Sequence, residues 1–128
     1  MKYKIIMIDD EKDICELTKL ILEKTGKFEV MFSTEARKGI ELAKTILPDL
    51  ILIDIVLPDM NGAEIMEHLS NDPATKHIPK AFLTALVQDG DAQNSSGLIG
   101  EYCFIPKTIT PKGLIAKIEA ILQEKNIS

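Results

Sequence analysis

Short apolar runs alternate with amphipathic stretches along this chain, and that alternation restricts its possible folds more than any other feature. Five apolar runs predict β-strands, at Lys4–Ile8, Phe28–Ser33, Asp49–Ile53, Pro79–Leu83 and Tyr102–Ile105. Apolar residues at helical spacing predict helices at Glu11–Lys24, Thr34–Thr45, Gly62–Leu69 and Thr110–Gln123. Strict alternation of this kind is typical of a doubly wound parallel sheet. The sequence therefore predicts a single α/β domain over residues 1–128.

Acidic residues follow two of the predicted strands. Asp9-Asp10-Glu11 ends the first apolar run, and Asp54 ends the third, just ahead of the turn Leu57–Gly62. Because parallel strands end at the same edge of a sheet, where open α/β folds place their reacting groups, we expect these carboxylates to converge. Their mutual repulsion then requires a cation or a lysine nearby.

Two further polar residues end predicted strands at the same edge. Thr84 ends the fourth strand and Lys107 follows the fifth. Taken alone, each of these residues has an ordinary explanation, such as a helix start, a loop cap or a surface lysine. Their convergence on one edge favours a functional site.

Composition excludes several classes of protein. A net charge of −5 argues against direct binding of nucleic acid, which requires a basic surface. No apolar run approaches the roughly 20 residues of a membrane span, and no targeting segment is present. Cys15 and Cys103 lack metal-ligand spacing and are interpreted as reduced thiols. We expect a soluble cytoplasmic protein that contacts neither nucleic acid nor membrane.

These motifs resemble the receiver domain of bacterial two-component response regulators over essentially the whole chain. The matching residues are Asp9-Asp10, Asp54 with Pro58 and Gly62, Thr84-Ala85, and Lys107. The resemblance implies a five-stranded, flavodoxin-like (βα)5 sheet with strand order 2-1-3-4-5. It also implies a phosphorylation-dependent signalling switch, which is a phosphoacceptor rather than an enzyme.

The resemblance assigns the nucleophile and the metal ligands. Asp54 is similar to the phosphoacceptor, which takes a phosphoryl group from a phosphohistidine. Asp9, Asp10, Asp54 and the backbone carbonyl of Val56 are similar to the ligands of Mg²⁺, with Mn²⁺ as the alternative ion.

The resemblance also assigns the switch residues. Lys107 is expected to pair with Asp54 at rest and with a phosphoryl oxygen afterwards. Thr84 is expected to donate its hydroxyl to another phosphoryl oxygen, while Phe104 occupies the place of the switch aromatic. The family usually has proline after the lysine, whereas Thr108 stands there in this chain. We expect a trans Lys107–Thr108 bond, because a non-proline cis bond costs about 3–4 kcal/mol.

Two expectations concern the lifetime of the phosphorylated state and a helix. The resemblance places Val56 and Leu86 beside the approach of water to the acyl phosphate, and because both residues are apolar we expect slow self-dephosphorylation. Residues 88–100 contain three glycines, two serines and one asparagine, and each glycine costs a helix interior about 1 kcal/mol. We expect the helix there to be short, displaced or partly melted, either as an ordering switch or simply as a tolerated loop.

The resemblance implies protein partners. They are a sensor histidine kinase or histidine phosphotransfer protein, which would dock near Ile14, Cys15 and the loop after Lys107, and a downstream protein. A phosphorylation-dependent homodimer is a further option. Because the last predicted helix ends close to Ser128, a stand-alone receiver and a fragment of a longer regulator both remain open.

Other functions keep some support from the fold class. A pseudo-receiver would bind a partner without phosphorylation, but it usually lacks one of the acids, the threonine or the lysine. A haloacid-dehalogenase type of aspartyl-phosphate phosphatase needs a second acid two residues after the nucleophile, where Val56 stands. A flavodoxin-like carrier would place its flavin phosphate against Asp9-Asp10-Glu11, which repels it.

Overall fold

The computed structural model describes residues 2–55, 57–85, 98–99 and 102–127. These residues form the strands β1 (Tyr3–Ile8), β2 (Phe28–Ser33), β3 (Leu50–Asp54), β4 (Lys80–Thr84), β5 (Leu98–Ile99) and β6 (Tyr102–Pro106). They also form the helices α1 (Lys12–Glu23), α2 (Ala36–Ile46), α3 (Gly62–Asn71) and α4 (Pro111–Ile127). Every strand and helix listed from the alternation pattern is present, with bounds that differ by a few residues.

The strands form one sheet in the order β2-β1-β3-β4-β6-β5. All neighbouring pairs are parallel except β5 with β6. Counted along the chain without β5, the parallel strands have the order 2-1-3-4-5, which confirms the expected topology. Because consecutive strands run parallel, the helices that connect them cross the faces of the sheet and cover both.

Among the described residues, strand β5 is the element that the pattern does not predict. Leu98 and Ile99 pair antiparallel with Cys103 and Tyr102 at the edge of the sheet. They are the two large apolar residues of the stretch 88–100, and a large or β-branched apolar side chain suits a strand. The remainder of that stretch lies outside the described residues, so the expectation of a weak helix there stays a prediction.

Alternating side chains of the central strands build two apolar layers. On β1, Ile5 and Met7 face the layer covered by α1 and α4, whereas Ile6 and Ile8 face the layer covered by α2 and α3. All four side chains are fully buried. Strands buried on both faces read as continuous apolar runs, which is why β1 and β3 are so evident in the sequence.

The loop between β3 and α3 is tied to two helices. Asn61 is the N-cap of α3, and its side chain accepts a hydrogen bond from the backbone N–H of Glu64 at 2.9 Å. Asp59 accepts one from the backbone N–H of Ala36, the first residue of α2, at 3.1 Å. The N-cap residue of α2, Glu35, makes no side-chain cap of its own. Asp59 therefore satisfies a helix N–H that local sequence leaves open.

Within the described ranges, no helix combines the length and the apolarity needed to cross a bilayer.

Candidate functional site

Four parallel strands deliver polar residues to one edge of the sheet. Asp9 follows β1, Asp54 and Thr84 end β3 and β4, and Lys107 follows β6. Asp9, Asp54 and Thr84 are at most 5% exposed, and the side chain of Lys107 is 10% exposed. The buried acids and the lysine lie in direct contact, as the sequence predicts. Because these groups are buried, the lysine stabilises acids whose charges would be costly without a partner away from water.

The Lys107 amine forms ion pairs with three carboxylates. Its Nζ lies 2.5 Å from Oε1 of Glu11, 2.9 Å from Oδ2 of Asp9 and 3.4 Å from Oδ2 of Asp54. The backbone N–H of Lys107 donates to the carbonyl of Thr84 at 2.8 Å, which fixes the base of the side chain beside β4. The amine thus reaches Asp54, but Glu11 and Asp9 are closer to it.

The surroundings of Lys107 shift its pKa. Burial lowers the pKa of the amine, but the contacts with Glu11 and Asp9 and the charges of Asp9 and Asp54 outweigh burial and raise it above its usual value. A lysine whose pKa is raised stays charged throughout the neutral range. Lys107 is therefore a permanent counter-charge for the acids around it.

Asp9 is held rigidly at the end of β1. Its backbone N–H donates to the carbonyl of Ser33 at 3.1 Å, and its Oδ1 accepts from the backbone N–H of Glu11 at 2.9 Å. Its Oδ2 is buried, ion-paired with Lys107, and without a hydrogen bond of good geometry. A buried carboxylate oxygen in this condition has capacity for a further ligand.

The acids provide a donor set suited to a hard cation. Carboxylate oxygens of Asp9, Glu11 and Asp54 all lie within 4.8 Å of one another. Oxygen ligands of this kind are what Mg²⁺ prefers, and Mg²⁺ keeps several waters besides one or two carboxylates. The residues present therefore fit the ion, with Asp9 Oδ2 as its most obvious buried donor.

The sequence predicts that Asp10 joins Asp9 in this group, but in the structure the neighbour that joins it is Glu11. Asp10 is exposed and lies outside the cluster, whereas Glu11 lies within it. Val56 lies outside the described residues, so its carbonyl stays a predicted ligand. Glu11 belongs to the acidic run of the sequence, but the pattern assigns it no role. The available signal was its length, since a glutamate reaches further than an aspartate from the start of α1.

The predicted switch residues lie beside the site. Thr84 is buried at the end of β4. Phe104 is half-buried on β6, and its ring centroid is 5.0 Å from that of Phe82. No peptide bond among the described residues is cis, which confirms the trans bond between Lys107 and Thr108. Phe104 packs on the α2 and α3 face of the sheet.

Gly62 allows α3 to begin directly against the strand that carries Asp54. A Cβ atom at this position would lie 2.5 Å from the Asp54 carbonyl oxygen and 2.6 Å from the Cα of Ile55. The N–H of Gly62 donates to the carbonyl of Ile55 at 2.7 Å. Only glycine permits this approach, so Gly62 supports the position of Asp54.

Cys15 packs beneath the acids. Its Sγ donates to the carbonyl of Asp9 at 3.3 Å. Burial, followed by the charge of Asp9, raises the pKa of the thiol to about 12. Neither Cys15 nor Cys103 forms a disulfide in this structure.

Known protein families and characterised proteins with similar sequences point to the same kind of domain as the geometry of the site. The family described as response regulator receiver domain matches residues 5–119. The alkaline phosphatase synthesis transcriptional regulatory protein PhoP of Bacillus subtilis is 30% identical over 100% of this chain and 52% of its own length. The phosphate regulon transcriptional regulatory protein PhoB of Escherichia coli is 32% identical over 96% of this chain and 53% of its own. This chain thus spans about half the length of these relatives.

Solved structures agree on the fold. A CheY-like response regulator receiver domain protein from Methanospirillum hungatei has a TM-score of 0.81 and 29% identity, over 98% of both chains. The chemotaxis response regulator CheY4 of Vibrio cholerae has a TM-score of 0.79 over 94% of this chain and 99% of its own. Its identity is 21%, so that likeness concerns the fold alone.

Proposed function

Because the chain belongs to the response regulator receiver domain family, we propose that Asp54 accepts a phosphoryl group from a phosphohistidine and that this modification changes partner binding. Domains of this family act in signalling. The observation that carries the proposal is the buried Asp54 carboxylate, placed 3.4 Å from the Lys107 amine and among further carboxylates. Burying several carboxylates costs free energy, and clusters of this kind are concentrated at functional sites.

The proposed step is a displacement at phosphorus. A carboxylate oxygen of Asp54 attacks phosphorus, the phosphorus–nitrogen bond of the donor breaks, and its electron pair stays on the imidazole. The transition state is loose, so the residues contribute by positioning and by charge. Lys107 is proposed to contact one oxygen of the transferred group, and Thr84 is proposed to donate its hydroxyl to another.

A divalent cation fits this site. Asp9 and Asp54 are the described residues that would hold Mg²⁺, and Asp10 and the Val56 carbonyl stay predicted ligands. When bound, the ion neutralises charge on the transferring group. Mn²⁺ has similar preferences for oxygen ligands and is the alternative.

The partners we propose are proteins. A sensor histidine kinase or a histidine phosphotransfer protein supplies the phosphoryl group, and a downstream protein, or a second copy of the domain, recognises the modified form. The relatives PhoP and PhoB are transcriptional regulators by name. Because this chain carries a net charge of −5, we propose that any effect on DNA is indirect.

Intact mass after incubation with acetyl phosphate and Mg²⁺ tests the proposal. The wild-type protein is expected to gain the mass of one phosphoryl group, and Asp54→Asn is expected to gain none. Asp59→Asn is a matched control, because it removes an acid from the neighbouring loop and leaves an acceptor for Ala36. Labelling of Asp54→Asn at an unchanged rate would contradict the assignment. Absence of labelling in the wild type would favour a pseudo-receiver.

A further inference from the structure

The ion pair between Glu11 and Lys107 has no part in the phosphoryl transfer proposed above. We propose that this pair is a resting latch, in which Glu11 draws the Lys107 amine towards itself and leaves it only a longer, 3.4 Å contact with Asp54. Release of Glu11 would let the amine move onto a phosphoryl group carried by Asp54. The inference rests on the proposed function and names a residue that regulates the same site. Glu11 is a positioning residue in this scheme, because it acts through Lys107.

The distances show where the amine is held. Lys107 Nζ lies 2.5 Å from Glu11 and 3.4 Å from Asp54, so the stronger contact is with Glu11. The backbone of Lys107 is fixed by its hydrogen bond to Thr84. A change of partner therefore depends on the flexible four-carbon side chain alone, which is well suited to such a movement.

Exposure shows which partner can leave. The side chain of Glu11 is 56% exposed, whereas those of Asp9 and Asp54 are 1% and 7% exposed. Glu11 stands at the N-cap of α1 and makes no side-chain cap there. It can rotate into water at little cost, because a solvated carboxylate loses no hydration. Asp9 and Asp54 have no such freedom.

Phosphorylation changes the balance between the two partners. A phosphoryl group adds about −1.5 to −2 charges and new acceptor oxygens on the Asp54 side. The amine then gains more from the modified Asp54 than from an exposed glutamate. Glu11 therefore competes with the phosphoryl oxygens for the Lys107 amine. Removing the Glu11 carboxylate should favour the contact between Lys107 and the phosphoryl group.

The test compares Glu11→Gln with Asp13→Asn. Both variants remove one negative charge from the start of α1, but Asp13 is exposed in the first turn of the helix and is not an ion-pair partner of Lys107 in the described residues. The first measurement is the 13Cε and 1Hε chemical shifts of Lys107 in the unmodified protein. The second is the affinity for fluoroberyllate, a phosphoryl mimic, with Mg²⁺, followed by 19F NMR.

Glu11→Gln is expected to shift the Lys107 resonances and to bind fluoroberyllate about 1.5- to fivefold more tightly, the range that partly exposed ion pairs allow. Asp13→Asn is expected to change neither. Unchanged Lys107 resonances in Glu11→Gln, or equal tightening in both variants, would overturn the latch in favour of a general charge effect. If the wild type is labelled by acetyl phosphate and Glu11→Gln matches it throughout, the latch alone fails. If acetyl phosphate does not label the wild type, the proposed function is wrong, and the latch that rests on it is wrong as well.

Discussion

Lys107 is the residue on which the charge balance of this site depends. One amine faces three carboxylates, two of them buried. Its raised pKa keeps it charged, because the acids around it outweigh the cost of burial. Lysine suits this position because it is a compact charge on a flexible stem and can pass from one carboxylate to another. Arginine, with a planar fork, would bind one carboxylate in a fixed geometry.

Cys15 leads to a prediction on pH. Its pKa is raised to about 12 by burial and by the charge of Asp9, whereas the pKa of an unfolded thiol is near 9.0. The thiol is neutral in both states below about pH 9. Above that pH only the unfolded thiol ionises, so the stability contributed by the neutral buried thiol is lost as pH rises from about 9 towards 12.

We expect iodoacetamide at pH 9 to alkylate Cys15 far more slowly in the folded protein than in urea. Peptide mass mapping after a timed quench measures this, and the half-buried Cys103 in the same sample is the internal reference. Equal alkylation of Cys15 with and without urea would show that the thiol is accessible and that its pKa is not raised.

At the scale of elements, the loop that follows Asp54 connects the site to two helices. Asn61 caps α3 and Asp59 satisfies the first N–H of α2. The N-terminus of a helix also carries a partial positive charge, which favours the Asp59 carboxylate there. A displacement of this loop therefore affects the starts of both helices.

We expect Asp59→Ala to lower the free energy of unfolding by about 0.5–2 kcal/mol, the usual cost of losing a helix cap. Urea denaturation followed by circular dichroism measures it. Glu35→Ala is the matched control, because Glu35 is the N-cap residue of α2 but makes no side-chain cap. We expect that control to change stability by less than about 0.5 kcal/mol. An equal loss in both variants would show that Asp59 does not act as the cap.

At the scale of the whole molecule, the acids at one edge of the sheet oppose folding unless they are compensated. Lys107 supplies one positive charge to Asp9, Glu11 and Asp54. A divalent cation bound there would stabilise the entire domain, because strands β1 and β3 that carry the acids are central to the sheet. Binding to the folded state alone raises stability by about 2.7 kcal/mol at one hundred times Kd.

We expect Mg²⁺ to raise the Tm of the wild-type protein in a concentration-dependent manner, measured by differential scanning calorimetry. NaCl of matched ionic strength is the control and should raise Tm much less. Asp9→Asn is expected to remove most of the Mg²⁺ effect, because it neutralises the most deeply buried carboxylate of the cluster. A Tm shift of equal size in Asp9→Asn would place the ion elsewhere.

The order of apolar runs and polar residues along the chain is enough to predict the fold class and the sheet edge at which the site lies. Alternation of apolar runs and amphipathic stretches identified all five parallel strands. The runs of β1, β3 and β4 are nearly continuous because these strands are buried on both faces, whereas β2 alternates buried and exposed residues at the sheet edge. Asp9, Asp54, Thr84 and Lys107 could be placed from sequence for a related reason. Each stands at the end of such a run, and the ends of parallel strands share one edge.

Tertiary structure alone decided which acids meet the lysine. Beyond the last residue of a strand, the period of two no longer sets the direction of side chains, so Asp10 and Glu11 could not be told apart from the pattern. The start of α1 turns Asp10 outward and brings Glu11 to the Lys107 amine. The short strand β5 likewise depends on tertiary structure, because it forms by pairing with the edge strand β6. Local propensity does not encode that pairing.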